Sequence, residues 1–152
     1  NIGAILAIKG AEVLNTLELN AVTMFIGFIF IVALVNLLMA SASAKWVLLA
    51  PIFIPMFMYL GYSPAVTQMA YRIGDSITNP ITPLLAYFPM LLGFARKYDK
   101  NIKMGTLISG LLPFSIAFAI MWVILFAAWL LLGLPLGPGE LIDYQLINNV
   151  GQ

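Results

Sequence analysis

Arg72, Asp75, Ser76, Thr78 and Asn79 crowd into one stretch, Arg72-Ile-Gly-Asp-Ser-Ile-Thr-Asn-Pro-Ile-Thr-Pro83. Apolar sequence flanks it on both sides, Ala65 to Tyr71 before and Leu84 to Phe94 after. Asp75, Ser76, Thr78 and Asn79 offer the oxygens a hard cation needs, and a lone carboxylate can equally carry a proton. Pro80 and Pro83 each lack an N–H, which keeps the segment from closing into a regular helix. Arg72 has two readings. It lies three residues before Asp75, on the same helical face, so a local ion pair is one. A guanidinium fork gripping a carboxylate of a solute is the other. A helix restarting near Pro83 and Leu84 would add unpaired N–H groups and a positive dipole end for an anion.

A second polar patch precedes this one. Asn36 interrupts the end of an apolar run, and Ser41-Ala-Ser-Ala-Lys-Trp46 follows. Trp46 suits stacking on an aromatic solute, or a place in an interfacial belt. Lys45 suits a solute carboxylate, or a snorkelling position. Asn36, Ser41 and Ser43 suit hydrogen bonds to a ligand or across helices.

The rest of the chain sets where these groups must lie. Of 152 residues, 62% are hydrophobic and 9% charged, against about 25% charged in soluble domains. The solvent is therefore lipid. In hydrocarbon, backbone polar groups must be satisfied internally, and charged side chains there are costly and mark functional sites. Net charge is +1, too little to argue for nucleic acid. No cysteine or histidine is present, which removes disulfides, thiol chemistry and zinc sites of the Cys/His kind. No G-x-S-x-G or Walker pattern occurs, and an enzyme is not expected. No cofactor is implied beyond a coupling ion, with Na+ at Asp75 and Asn79 as the candidate. The chain begins at Asn1 without an initiator Met and without a basic leader, which reads as part of something longer.

The expected class is an all-α polytopic membrane protein. Residues 1–19 read as the end of a preceding helix or an interfacial segment. Residues 20–62 read as a re-entrant helical hairpin with its tip at 41–46, preferred over two ordinary spans because the tip is small and hydroxylated. Ser63 and Pro64 form a helix start, cap then first turn. Residues 63–95 read as a discontinuous transmembrane helix broken at 74–82, its first half ending at Gly74. Arg96, Lys97, Lys100 and Lys103 then mark 96–103 as a cytoplasmic basic loop. A final transmembrane helix spans 104–133, kinked at Pro113, and 134–152 form an outer-side tail with Glu140 and Asp143. With that orientation the hairpin tip and the helix break fall at one depth, so they belong to one site. The function this implies is secondary active transport coupled to a sodium or proton gradient, with a passive channel or a structural membrane subunit as alternatives.

The composite of Ser41-Ala-Ser-Ala-Lys-Trp46, Ala50-Pro-Ile-Phe-Ile-Pro-Met-Phe57, Gly61-Tyr-Ser-Pro64 and the 72–83 stretch resembles the AbgT family of p-aminobenzoyl-glutamate transporters, over nearly the whole chain. The resemblance implies a bacterial inner-membrane, multi-pass, dimeric protein. It implies one inverted repeat of an ion-transporter-superfamily fold, the partner half lying N-terminal. It implies sodium-coupled movement of p-aminobenzoyl-glutamate or related aromatic carboxylates, or gradient-driven export of sulfonamide antimetabolites. The positions matching the family's site are Asn36, Ser43, Trp46, Pro64, Arg72, Asp75 and Pro83. The working assignment is therefore substrate binding by Asn36, Ser43, Trp46, Pro64, Arg72 and Pro83, and ion coupling by Asp75, Ser76 and Asn79.

Overall fold

The structure, a computed structural model, describes residues 2–136. These form six α-helices joined by short turns, with no strand among the described residues: α1 (Ile2–Thr16), α2 (Ala21–Leu38), α3 (Ala42–Tyr59), α4 (Pro64–Ile77), α5 (Phe88–Tyr98) and α6 (Met104–Leu131). A 3₁₀ turn, Asn79–Ile81, follows α4. The expected tail residues Glu140 and Asp143 lie outside the described residues.

Three helices, α2, α3 and α6, are long and apolar enough to cross a membrane. The 18 residues each of α2 and α3 make rods of about 27 Å, near the thickness of the hydrocarbon core. Such rods suit full spans as well as re-entrant arms. α3 stays helical through Pro51 and Pro55, and α6 through Pro113. Each proline removes one helical N–H donor. Gly61, with φ +91°, turns the chain from α3 into α4, a conformation a Cβ would strain.

The core is built where the wide ends of α2 and α3 meet the start of α4 and the far part of α6. Phe25 packs against Phe57, Tyr62 and Phe126 at centroid separations of 4.6, 5.2 and 5.9 Å. Phe28 continues the layer onto Phe53 at 4.5 Å and Phe57 at 5.3 Å. These rings join α2 to α3 through their side chains. The closest neighbour of α2 is α4, not α3, and α1 lies along α3.

Gly74 explains the α2–α4 contact and corrects one expectation. The first half of the broken helix was expected to end there. Instead α4 runs through it to Ile77. A Cβ on Gly74 would lie 2.6 Å from the Ile29 carbonyl oxygen and 2.7 Å from Val32 Cβ. The glycine is there so that two backbones can approach, the small-residue contact common between membrane helices. Its lack of a side chain, read as a stop signal, is a packing device.

Other bounds shift as well. The irregular stretch covers 78–87 rather than 74–82, and the next helix starts at Phe88, not Pro83. The expected dipole end at Pro83 and Leu84 is therefore absent, because Thr82 to Tyr87 form consecutive turns. α5 extends to Tyr98, so part of the basic cluster is helical. Between α2 and α3 only Met39 to Ser41 are non-helical, which puts Lys45 and Trp46 on the first turns of α3. Ser63 stands at the N-cap of α4, but its hydroxyl makes no cap bond.

Candidate functional site

Three helix ends converge on one buried point. Asn36 lies near the C-terminus of α2, Lys45 at the start of α3, and Asp75 near the C-terminus of α4. Ser41 opens α3 by accepting from the Ala44 N–H at 3.3 Å. This sets the first turn, so that Lys45 points inward toward α4. Asn36 and Lys45 are wholly buried, and Asp75 is 8% exposed.

The Lys45 ammonium donates to both Asp75 Oδ1 and Asn36 Oδ1. It forms the ion pair with Asp75 found among the described residues. The Asn36 amide nitrogen faces three acceptors: the Asp75 carbonyl at 3.0 Å, Thr78 Oγ1 at 2.8 Å and Asn79 Oδ1 at 3.0 Å. An amide nitrogen has two hydrogens, so oxygens outnumber donors at this point. Thr78 Oγ1 itself reaches back to the Ala33 carbonyl at 3.4 Å. Thr82 Oγ1 donates to the Thr78 carbonyl at 2.7 Å and ties down the turn after α4.

The charges lie at unfavourable helix ends. Lys45 sits in the first turn of α3, the positive end of its dipole. Asp75 sits in the last turn of α4, the negative end. Neither is favoured by its own helix, so each depends on the other. Burial sharpens that dependence, since an unpaired ion in a poorly solvated interior is costly.

Tyr71 was missed by the reading of motifs, where it passed as apolar flank. It is buried, its hydroxyl donates to the Ala42 carbonyl at the start of α3, and its ring packs on Trp46 at 4.7 Å and 48°. The available signal was its position four residues before Asp75, on the same face of the helix.

Of the residues singled out by type and spacing, Asn36, Lys45, Asp75, Thr78 and Asn79 meet here. Trp46 borders them, half-buried against Tyr71. The local Arg72–Asp75 ion pair is not formed. Arg72 is exposed, and Asp75 turns instead to Lys45. Ser43 is exposed. Ser76 is exposed too, its hydroxyl donating to its own helix at the Ile73 carbonyl, 3.0 Å away. Pro64 is the first residue of α4, about 16 Å along the helix axis from Asp75. Pro83 is half-buried in the turns that follow α4.

Such an arrangement can bind a cation through clustered oxygens at the C-terminal end of a helix, whose dipole favours positive charge. No group of three or more His, Cys, Asp or Glu side chains that could hold a metal ion occurs among the described residues.

Comparison with known proteins gives one answer from three directions. Residues 1–144 match the model of the AbgT transporter family. The p-aminobenzoyl-glutamate transport protein of Escherichia coli (strain K12) is 39% identical over 139 residues, covering 91% of this chain and 27% of that protein. The crystal structure of the Alcanivorax borkumensis YdaH transporter superposes with a TM-score of 0.86 at 50% identity, covering 90% of this chain and 29% of its own. Neisseria gonorrhoeae MtrF, described as illuminating a class of antimetabolite efflux pumps, gives 0.81 at 51% identity, covering 91% and 28%. The chain thus spans between a quarter and a third of the length of these relatives.

Proposed function

We propose a function that proceeds from one premise: this chain belongs to the AbgT transporter family. It is a membrane-transporter segment and not an enzyme. The reading is that it supplies the ion-coupling segment of a carrier in the bacterial inner membrane. That carrier moves p-aminobenzoyl-glutamate or related aromatic carboxylates, sulfonamide antimetabolites included, against or along a sodium or proton gradient. Residues outside this segment complete the site, and the carrier works as a homodimer.

The observation that carries the reading is the buried cluster of Asn36, Lys45, Asp75, Thr78 and Asn79 where three helix ends meet. A merely structural subunit has no need of a buried ion pair surrounded by surplus oxygens. In this reading α2 and α3 form a re-entrant hairpin in one inverted repeat, its tip facing the turn after α4. Asp75 and Asn79 take the coupling ion, with Na+ the first candidate, and Ser76 lies at the rim. Trp46 and Ser43 face the aromatic part of the solute with Asn36 behind them, Arg72 meets one of its carboxylates, Pro64 starts the helix that carries Asp75, and Pro83 lies in the turns that follow it.

The test is counterflow of labelled p-aminobenzoyl-glutamate in proteoliposomes holding the intact protein, with and without a sodium gradient. Saturable counterflow that the gradient accelerates is the expected result. Non-saturating flux indifferent to the gradient would reject a carrier in favour of a channel.

A further inference from the structure

Lys45 carries a positive charge into the interior, and its ammonium already rests on the oxygens an incoming cation would seek, Asp75 Oδ1 and Asn36 Oδ1. Two like charges cannot both be held against the same carboxylate in a poorly solvated site without strong repulsion. One of them has to leave.

We propose that Lys45 is a tethered exchange cation: an ion entering the site displaces its ammonium from Asp75, and the freed ammonium passes to a carboxylate of the transported solute. This rests on the transport reading above and adds the group that links its two ligands.

Three features carry the inference. First, among the described residues Lys45 is held by Asp75 and by the neutral Asn36 carbonyl oxygen, while the dipole of its own helix opposes it. Satisfying Asp75 with another cation removes the main attraction, and the dipole then favours release. Second, the two oxygens the ammonium vacates, Asp75 Oδ1 and Asn36 Oδ1, remain in place for a replacement ion. The Asp75 carbonyl, Thr78 Oγ1 and Asn79 Oδ1 hold the Asn36 amide nitrogen at 3.0, 2.8 and 3.0 Å, which keeps the amide oxygen aimed at the vacated position. Third, Lys45 has somewhere to go. It is preceded by Ala44, which is exposed, and followed by Trp46, which is half-buried against Tyr71. A lysine stem is flexible enough to turn toward that surface of α3's first turn, beside the aromatic face offered to the solute.

The exchange has a thermodynamic consequence. The cation releases Lys45 for the solute, and the solute draws Lys45 away from the cation's site. Each ligand then raises the affinity of the other by the same factor. Coupling passes through a single side chain.

The experiment is equilibrium binding of radiolabelled sodium to the purified intact protein, with and without saturating p-aminobenzoyl-glutamate. Wild type, Lys45→Gln and Lys45→Arg are compared, with folding followed by gel filtration and tryptophan emission. In wild type the solute is expected to tighten sodium binding by about 5- to 150-fold. Lys45→Gln removes the competitor. It should bind sodium at least about tenfold more tightly without solute and lose the solute effect. Lys45→Arg keeps a permanent charge and should bind sodium no better than wild type. A folded Lys45→Gln protein with unchanged or weaker sodium binding, or with the solute effect intact, overturns the exchange. Should Lys45→Gln not fold, tighter sodium binding by Lys45→Arg overturns it instead. Failure of the transport reading shows elsewhere, as absent solute counterflow by wild type, and leaves the sodium shift between variants readable.

Discussion

Lys45 and Asp75 bring opposite charges into the interior, each at the helix end that suits it least. Their pairing is therefore a mutual rescue. Removing one partner leaves a buried ion uncompensated, whereas replacing both with apolar or neutral groups removes the problem itself. Lys45→Met and Asp75→Asn should each destabilise the protein by about 3–5 kcal/mol, and the double variant should recover most of that loss. Equilibrium unfolding in mixed micelles measures it, and simple addition of the two losses would argue against a coupled pair. Asp75 and Asn79 were legible in the sequence as candidate oxygen donors because such groups are conspicuous amid apolar residues. Lys45 was legible as a charge but not in its role. Thirty residues separate it from Asp75, and no local spacing rule joins positions that far apart. Arg72, three residues from Asp75, looked the better partner for that reason alone.

The helices decide which of these groups meet. α4 lies against α2 so closely that Gly74 has no room for a methyl group beside the Ile29 carbonyl. Backbone cannot yield as a flexible side chain would. Gly74→Ala should cost about 1–3 kcal/mol by overpacking and should draw Asp75 away from Asn36, visible as slowed transport at unchanged expression. A variant as stable and active as wild type would show that the approach is not needed. Apolar runs and proline and hydroxyl patterns were enough to find the long apolar helices α2, α3 and α6 and an interruption near the end of α4. They misplaced its edges because a glycine can signal either a helix end or a close contact, and only the partner helix distinguishes the two. Pro83 misled likewise: a proline suits a first helical turn, but the chain used it within a run of turns and delayed the helix to Phe88.

Across the whole molecule, the charged cluster is sealed within this chain while Arg72, Ser43 and Ser76 face outward. Solute sites in such carriers lie between repeats, so outward residues on α3 and α4 are the ones available to a partner half. Arg72→Ala should therefore leave stability within about 0.5 kcal/mol of wild type, as for an exposed surface side chain. It should weaken solute binding, read by titration of Trp46 emission or by transport KM. A large loss of stability would place Arg72 inside the fold instead. Membrane residence was legible from composition, since few soluble chains combine so many apolar residues with so few charges. The arrangement of α1 along α3 was not, because apolar helices facing lipid carry no periodic stripe to show which side packs.

The central claim is that the buried Lys45–Asp75 pair transmits an ion gradient to solute movement. The most direct measurement is gradient-driven flux of p-aminobenzoyl-glutamate in proteoliposomes holding the Lys45→Met/Asp75→Asn protein, whose fold is expected to survive. Loss of gradient-driven flux in a folded, membrane-inserted double variant is the result the account expects. Undiminished flux, still responsive to the ion gradient, would contradict it.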